Sequence, residues 1–221
     1  MRTGLISRYR TFEPMSAQRE HTIAILGLGY VGLPLAVAFS KKYRTLGFDI
    51  NAEKAALIAS GVDPTNELDG DQLSQALQSH LQISADPTLL ASCNTFIITV
   101  PTDINSDKSP NLEPLIAAST LVGEHLKKGD LVIYESTTYP GCTEEVCAPI
   151  LSEKSGLVFN QDYTVGYSPE RINPGDKQRN VTNILKVTSG STLDAGQEVD
   201  ALYNAVITAG THLAPSIKVA E

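Results

Sequence analysis

Gly27-Leu28-Gly29-Tyr30-Val31-Gly32 carries the spacing GxGxxG. In that spacing the first glycine permits a tight turn, the second lets an anion approach bare backbone, and the third lets a helix pack close to the preceding strand. A helix opening there offers unpaired N–H groups and the positive end of its dipole, which suits a pyrophosphate. Asp49 follows Gly27 by 22 residues, where a carboxylate either accepts hydrogen bonds from an adenosine ribose diol or caps the next helix. In the first role it repels a 2′-phosphate, so NAD is favoured over NADP. Lys54, five residues further on, lies along the same adenosine edge or is a solvated helix lysine.

Three later segments add polar groups. Val100-Pro101-Thr102-Asp103 and Glu135-Ser136-Thr137-Thr138-Tyr139-Pro140-Gly141 offer hydroxyls to a ribose or an amide, or simply form turns. Tyr167 to Arg179 concentrates Arg171, Lys177 and Arg179 around Glu170 in an otherwise acidic chain. That loop suits a diphosphate-bearing substrate, with Glu170 handling a proton or orienting water; the alternative is a surface ion-pair network. Cys93, Cys142 and Cys147 form no CxxC pair, and His21, His80, His125 and His212 show no HxH or HExxH spacing. A metal site and a Ser-His nucleophile are therefore not expected, and each cysteine reads as a small buried thiol.

These groups need strand ends to hold them, and the pattern supplies them. His21–Leu26, Thr45–Asp49, Asn94–Val100, Leu131–Glu135, Thr164–Tyr167 and Ile184–Ser189 read as strands. Leu33–Tyr43, Asn51–Ser60, Asp71–Ser79, Asn111–Lys127, Thr143–Lys154 and Asp194–Asn204 read as helices, with Ala205–His212 after the last. Such alternation predicts an α/β fold: a Rossmann-like, doubly wound, mostly parallel sheet with helices on both faces, in three αβα layers. In that fold the ligand sits at the carboxyl ends of the strands, where the motifs fall.

Composition agrees. The chain has 221 residues, 42% hydrophobic and 19% charged, and a net charge of −8. These values exclude a disordered chain and a protein that grips phosphate backbones by overall charge, so no nucleic-acid partner is expected. Residues 1–20 read as a flexible N-terminal arm without a signal-peptide core, and Met15 is a second candidate start. Thr22 to Ser40 holds no charged residue and is long enough to score as a membrane span. Gly27, Gly29, Gly32 and Pro34 interrupt it, and strand, turn and helix is the better reading, with no membrane partner. Three unframed cysteines suit a reducing, cytoplasmic setting.

GLGYVGLPLA, Asp49, the VPT turn, YESTTYPG and YSPERINPGDK together resemble the UDP-glucose/GDP-mannose dehydrogenase family, over about Thr22 to Glu221. Within it they are most similar to bacterial UDP-N-acetylhexosamine 6-dehydrogenases of surface-polysaccharide synthesis. The resemblance implies an NAD-dependent four-electron oxidation of a UDP-sugar C6 alcohol to a carboxylate, with two NAD and an enzyme thioester. Carried over, it gives cofactor contacts to Gly27, Gly29, Tyr30, Val31, Gly32, Asp49, Lys54, Thr102 and Thr137. Thr137 and Glu170 take the catalytic roles, and Glu170, Arg171 and Asn173 face the nucleotide sugar. Pro174 stands where some glucose-specific members carry a second acidic residue, which favours the acetamido-sugar branch.

The resemblance also places the family's nucleophilic cysteine in a second domain. Residues 21–213 then form the NAD-binding domain and 214–221 open the connecting helix. Such a chain is expected to bind cofactor without completing turnover, as a possible monomer, while the full-length protein is a homodimer. Two alternatives are a non-catalytic, stand-alone NAD-binding module and a hydroxyacid dehydrogenase. The SPERINPG loop disfavours the latter.

Overall fold

The structure is a computed structural model that describes residues 20–68, 70–171 and 181–221. Glu20 apart, the N-terminal arm lies outside the described residues, as do Asn173, Pro174, Lys177 and Arg179.

β1 (Thr22–Leu26) forms where aliphatic residues are buried on both faces: Ile23, Ala24 and Ile25 are 0% exposed and Leu26 is 2% exposed. The chain then turns into α1 (Gly32–Ser40), all nine residues of which are buried. A helix that is apolar all round must be covered on every side. This accounts for the uncharged stretch from Thr22 to Ser40, which forms a strand, a turn and a core helix. Among the described residues no helix is long and apolar enough to cross a membrane.

β2 (Arg44–Phe48) leads to α2 (Ala52–Ala59), whose first turn is capped by the Asn51 side chain accepting from the Lys54 N–H at 3.0 Å. α3 (Gln72–Leu77) and β3 (Leu81–Ser84) follow, then a 3₁₀ helix over Pro87–Ser92 and β4 (Thr95–Ile98). α4 (Glu113–Gly123) carries Pro114 in its first turn, where the missing N–H costs nothing. After β5 (Leu131–Tyr134) comes a π-helical turn over Thr143–Cys147, which runs into α5 (Ala148–Ser155). The remaining elements are β6 (Thr164–Tyr167), β7 (Lys186–Gly190), α6 (Leu193–Asn204), β8 (Thr211–Leu213) and α7 (Ile217–Ala220).

The eight strands form one sheet in the order β3-β2-β1-β4-β5-β6-β7-β8. The first six in that order are parallel, β6 and β7 are antiparallel, and β8 is parallel to β7. Alternate residues feed opposite cores. Ile23, Ile25, Ile97 and Ile133 pack with α1 and α6 residues such as Phe39 and Tyr203. Ala24, Leu26, Ile98 and Val132 pack with Leu115 of α4 and Leu151 of α5. The expected three layers are present, with β1 and β4 adjacent at the point where strand order reverses.

Four differences from the sequence reading stand out. β3 and the 3₁₀ helix were not expected, because a four-residue edge strand with a single buried residue gives little alternation to read. The helix expected over Thr143–Lys154 begins with a π turn, and the segment after α6 contributes only three strand residues.

Candidate active site

The turn after β1 is fixed before any ligand enters. The Gly27 N–H donates to the Phe48 carbonyl at 2.9 Å, and the Thr99 hydroxyl donates to the Leu26 and Gly27 carbonyls at 3.0 and 2.7 Å. Gly27 has φ +96°, a left-handed conformation open to glycine. A Cβ at Gly32 would lie 1.8 Å from the Gly27 oxygen, so only glycine lets α1 pack this close. A Cβ at Gly29 would meet nothing within 4 Å. That bare backbone faces a cavity of about 840 Å³.

The cavity lies along the carboxyl ends of the parallel strands. At one end its wall includes Asp49, Ile50 and Lys54; Gly27, Gly29, Tyr30 and Val31 follow; Thr102, Glu135, Thr137 and Glu170 close the other end. Asp49 is 6% exposed. Its Oδ2 accepts from the Leu28 N–H at 2.9 Å and from Lys54 Nζ at 2.7 Å, and its Oδ1 accepts from the Asn51 N–H at 3.0 Å. A carboxylate has about four acceptor sites, so Oδ1 keeps capacity for one more donor. Burial pushes the Asp49 carboxyl up, but the Lys54 and backbone hydrogen bonds outweigh it and hold it below the usual range, as an anion.

At the far end two turns are stitched together. The Thr102 hydroxyl donates to the Thr137 carbonyl at 2.5 Å, the Ser136 hydroxyl to the Val100 carbonyl at 2.7 Å, and the Tyr167 hydroxyl to the Ser136 carbonyl at 3.0 Å. Partial burial raises the Tyr30 phenol, as do the charges of Glu170, Asp103 and Glu67. Tyr30 therefore lies within electrostatic reach of Glu170.

A sequence profile described as UDP-glucose/GDP-mannose dehydrogenase family, NAD binding domain, matches residues 21–207. The chain belongs to this family. The chain is 56% identical over 199 residues to a UDP-N-acetyl-D-glucosamine 6-dehydrogenase of Pseudomonas aeruginosa, covering 90% of this chain and 47% of that protein. It is 46% identical to Protein CapL of Staphylococcus aureus, again over 90% of this chain and 46% of the relative. A solved UDP-D-ManNAc dehydrogenase from Pyrococcus horikoshii superposes with a TM-score of 0.82 at 32% identity, covering 90% of this chain and 48% of that one. The chain thus spans about half the length of the curated relatives it matches.

Of the residues assigned from the resemblance to this dehydrogenase family, the cavity brings together Gly27, Gly29, Tyr30, Val31, Asp49, Lys54, Thr102, Thr137 and Glu170. Gly32 is not on its wall; its contribution is the close packing of α1. Arg171 is exposed and off the wall, and Asn173 lies outside the described residues. Cys93, Cys142 and Cys147 are free and buried, and none borders the cavity. A shared hydrogen bond lowers the Cys142 thiol to about 7 and, with burial, raises that of Cys147. Among the described residues no group of three His, Cys, Asp or Glu side chains could hold a metal ion. Sequence reasoning missed Glu135 as a wall residue, together with its partners Lys186 and Tyr203. The available signal was an acid ending the apolar run LVIY.

Proposed function

We propose that this chain is the cofactor-binding half of an NAD-dependent nucleotide-sugar 6-dehydrogenase that oxidises the C6 alcohol of UDP-N-acetyl-D-glucosamine to a carboxylate. The observation that carries the reading is the single cavity joining Asp49, the open Gly29 backbone and the Thr137–Glu170 end. Asp49 holds the adenosine ribose diol through its remaining acceptor site, Gly29 admits the pyrophosphate, and the α1 N-terminus faces it. Thr102 and Thr137 flank the nicotinamide. Two NAD, bound in turn, would supply the oxidising equivalents for alcohol and water to become carboxylate with release of three protons. Glu170 orients the water, and Arg171 and Asn173 face the sugar nucleotide. Identity supports the gluco epimer: 56% to the relative named for it, against 32% to the solved UDP-D-ManNAc dehydrogenase.

The family resemblance puts the nucleophilic cysteine in the part of the relatives' length that this chain, which covers 47% of the Pseudomonas aeruginosa protein, does not span. Residues 21–213 are the NAD-binding domain and α7 opens the connecting helix of a cytoplasmic homodimer. Calorimetric titration tests the reading. NAD binds, Asp49→Ala weakens it about tenfold or more through loss of a charged hydrogen-bond acceptor, and no NADH accumulates when UDP-N-acetyl-D-glucosamine is added. Sustained turnover by this chain alone would overturn the division of labour. Failure to bind NAD would overturn the whole reading.

A further inference from the structure

β7 runs against β6, so its first residue, Lys186, lies at the same sheet edge as the carboxyl ends of the parallel strands. There its Nζ donates to one carboxylate oxygen of Glu135 and, at 3.2 Å, to the Pro169 carbonyl, next to Glu170. The other Glu135 oxygen accepts from the Tyr203 hydroxyl of α6, and Lys186 Nζ stands 5.9 Å from the Tyr203 ring centroid. The Glu135 side chain is 0% exposed and that of Lys186 is 6% exposed. Both Glu135 oxygens thus receive a donor, one of them in an ion pair with Lys186.

Two features give this pair a use beyond stability. Burying two charges costs several kcal/mol per ion, and apolar residues of similar volume serve a core as well or better, so packing alone does not explain it. The pair is also unequally placed: Glu135 borders the cavity together with Thr137 and Glu170, whereas Lys186 is not among the residues that line it. The acid is thus the member of the pair that borders the cavity. Oxidised nicotinamide is a cation and reduced nicotinamide is neutral, so a fixed carboxylate there stabilises the first more than the second.

We infer that Glu135, in its ion pair with Lys186, is a specificity-determining residue that makes the cavity prefer oxidised over reduced nicotinamide cofactor. The inference rests on the cofactor reading above, with the nicotinamide at the β5 end. It also fits a reaction that uses two NAD in sequence, because the first NADH must leave before the second NAD enters. Lys186 acts as a positioning residue, tying the Glu170 loop to the end of β5 through the Pro169 carbonyl.

The test is the ratio of dissociation constants for NAD and NADH, measured by calorimetry on the chain and its variants. Wild type binds NAD more tightly. Glu135→Gln keeps shape and acceptor but loses charge, and raises the ratio of the NAD to the NADH constant about fivefold. The double variant Glu135→Gln with Lys186→Met removes both buried charges, shifts the ratio the same way, and carries the test if the single variant does not fold. Tyr203→Phe keeps the charge and leaves the ratio within about twofold of wild type. A purely structural role moves both affinities by one factor. An unchanged ratio in folded Glu135 variants that still bind cofactor overturns the inference alone. A wild-type chain that binds neither form overturns the cofactor reading and the inference with it.

Discussion

Gly29 and Gly32 sit three positions apart in one motif and face opposite surroundings. A methyl group on Gly32 would collide with the Gly27 carbonyl and with Thr99 Oγ1, 2.5 Å away, whereas one on Gly29 would point into open space. Gly32→Ala therefore destabilises the chain by about 2 to 3 kcal/mol, read from the urea midpoint, as expected of overpacking against rigid backbone. Gly29→Ala leaves stability within about 0.5 kcal/mol but weakens NAD binding, because the methyl occupies the approach of the pyrophosphate. A Gly29→Ala chain with wild-type affinity would show that the phosphates lie elsewhere. The close packing at Gly32 and the open space at Gly29 were legible in the sequence because they depend only on the local order of strand, turn and helix. The place of Asp49 just after β2 was legible for the same reason, although its bonds to the Leu28 N–H and Lys54 were not. Glu135 and Lys186 lie 51 residues apart and meet through tertiary structure, so no local pattern pairs them.

Among the elements, the parallel strands with apolar residues on both faces were readable, and β3, at the edge with one buried residue, was not. The reversal at β7 has no local sequence mark, since a strand reads the same in either direction. The π turn over Thr143–Cys147 has no side-chain cap from its own N-terminus. Glu221, just after α7, supplies one from a distance: its carboxylate accepts from the Gly141 and Thr143 N–H groups at 2.5 and 2.9 Å. The contact ties the end of α7 to the turn that follows Thr137. Glu221→Ala costs about 1 kcal/mol, the usual loss for a helix cap, and should appear as a lower urea midpoint with an unchanged slope. An unaltered midpoint would mean that water replaces the carboxylate without loss.

For the whole molecule, pH acts through buried groups of two kinds. Burial pushes Asp49 and Asp63 up, but their hydrogen bonds outweigh it and both carboxyls end below their ordinary range. Their contribution to stability is present above about pH 4 and is lost as pH falls through the folded values. Burial raises Tyr134, Tyr167 and Tyr203, so their contribution is present below about pH 10 and is lost as pH climbs toward the folded values. Calorimetric melting temperature should fall below about pH 4 and again above about pH 10, with tyrosinate absorbance appearing together with alkaline unfolding. Tyrosinate absorbance appearing while the chain is still folded would contradict the burial argument. The sheet order also bears on how the chain is made. A ribosome delivers β1 and β2 first, yet the second neighbour of β1 is β4, and the Glu135 charge has no cation until Lys186 emerges. A nascent chain halted between them carries an open sheet edge, which makes a partly formed domain prone to aggregate, and an acid not yet paired. The last third of the chain is thus what completes the order of the sheet and supplies the cation for a buried acid.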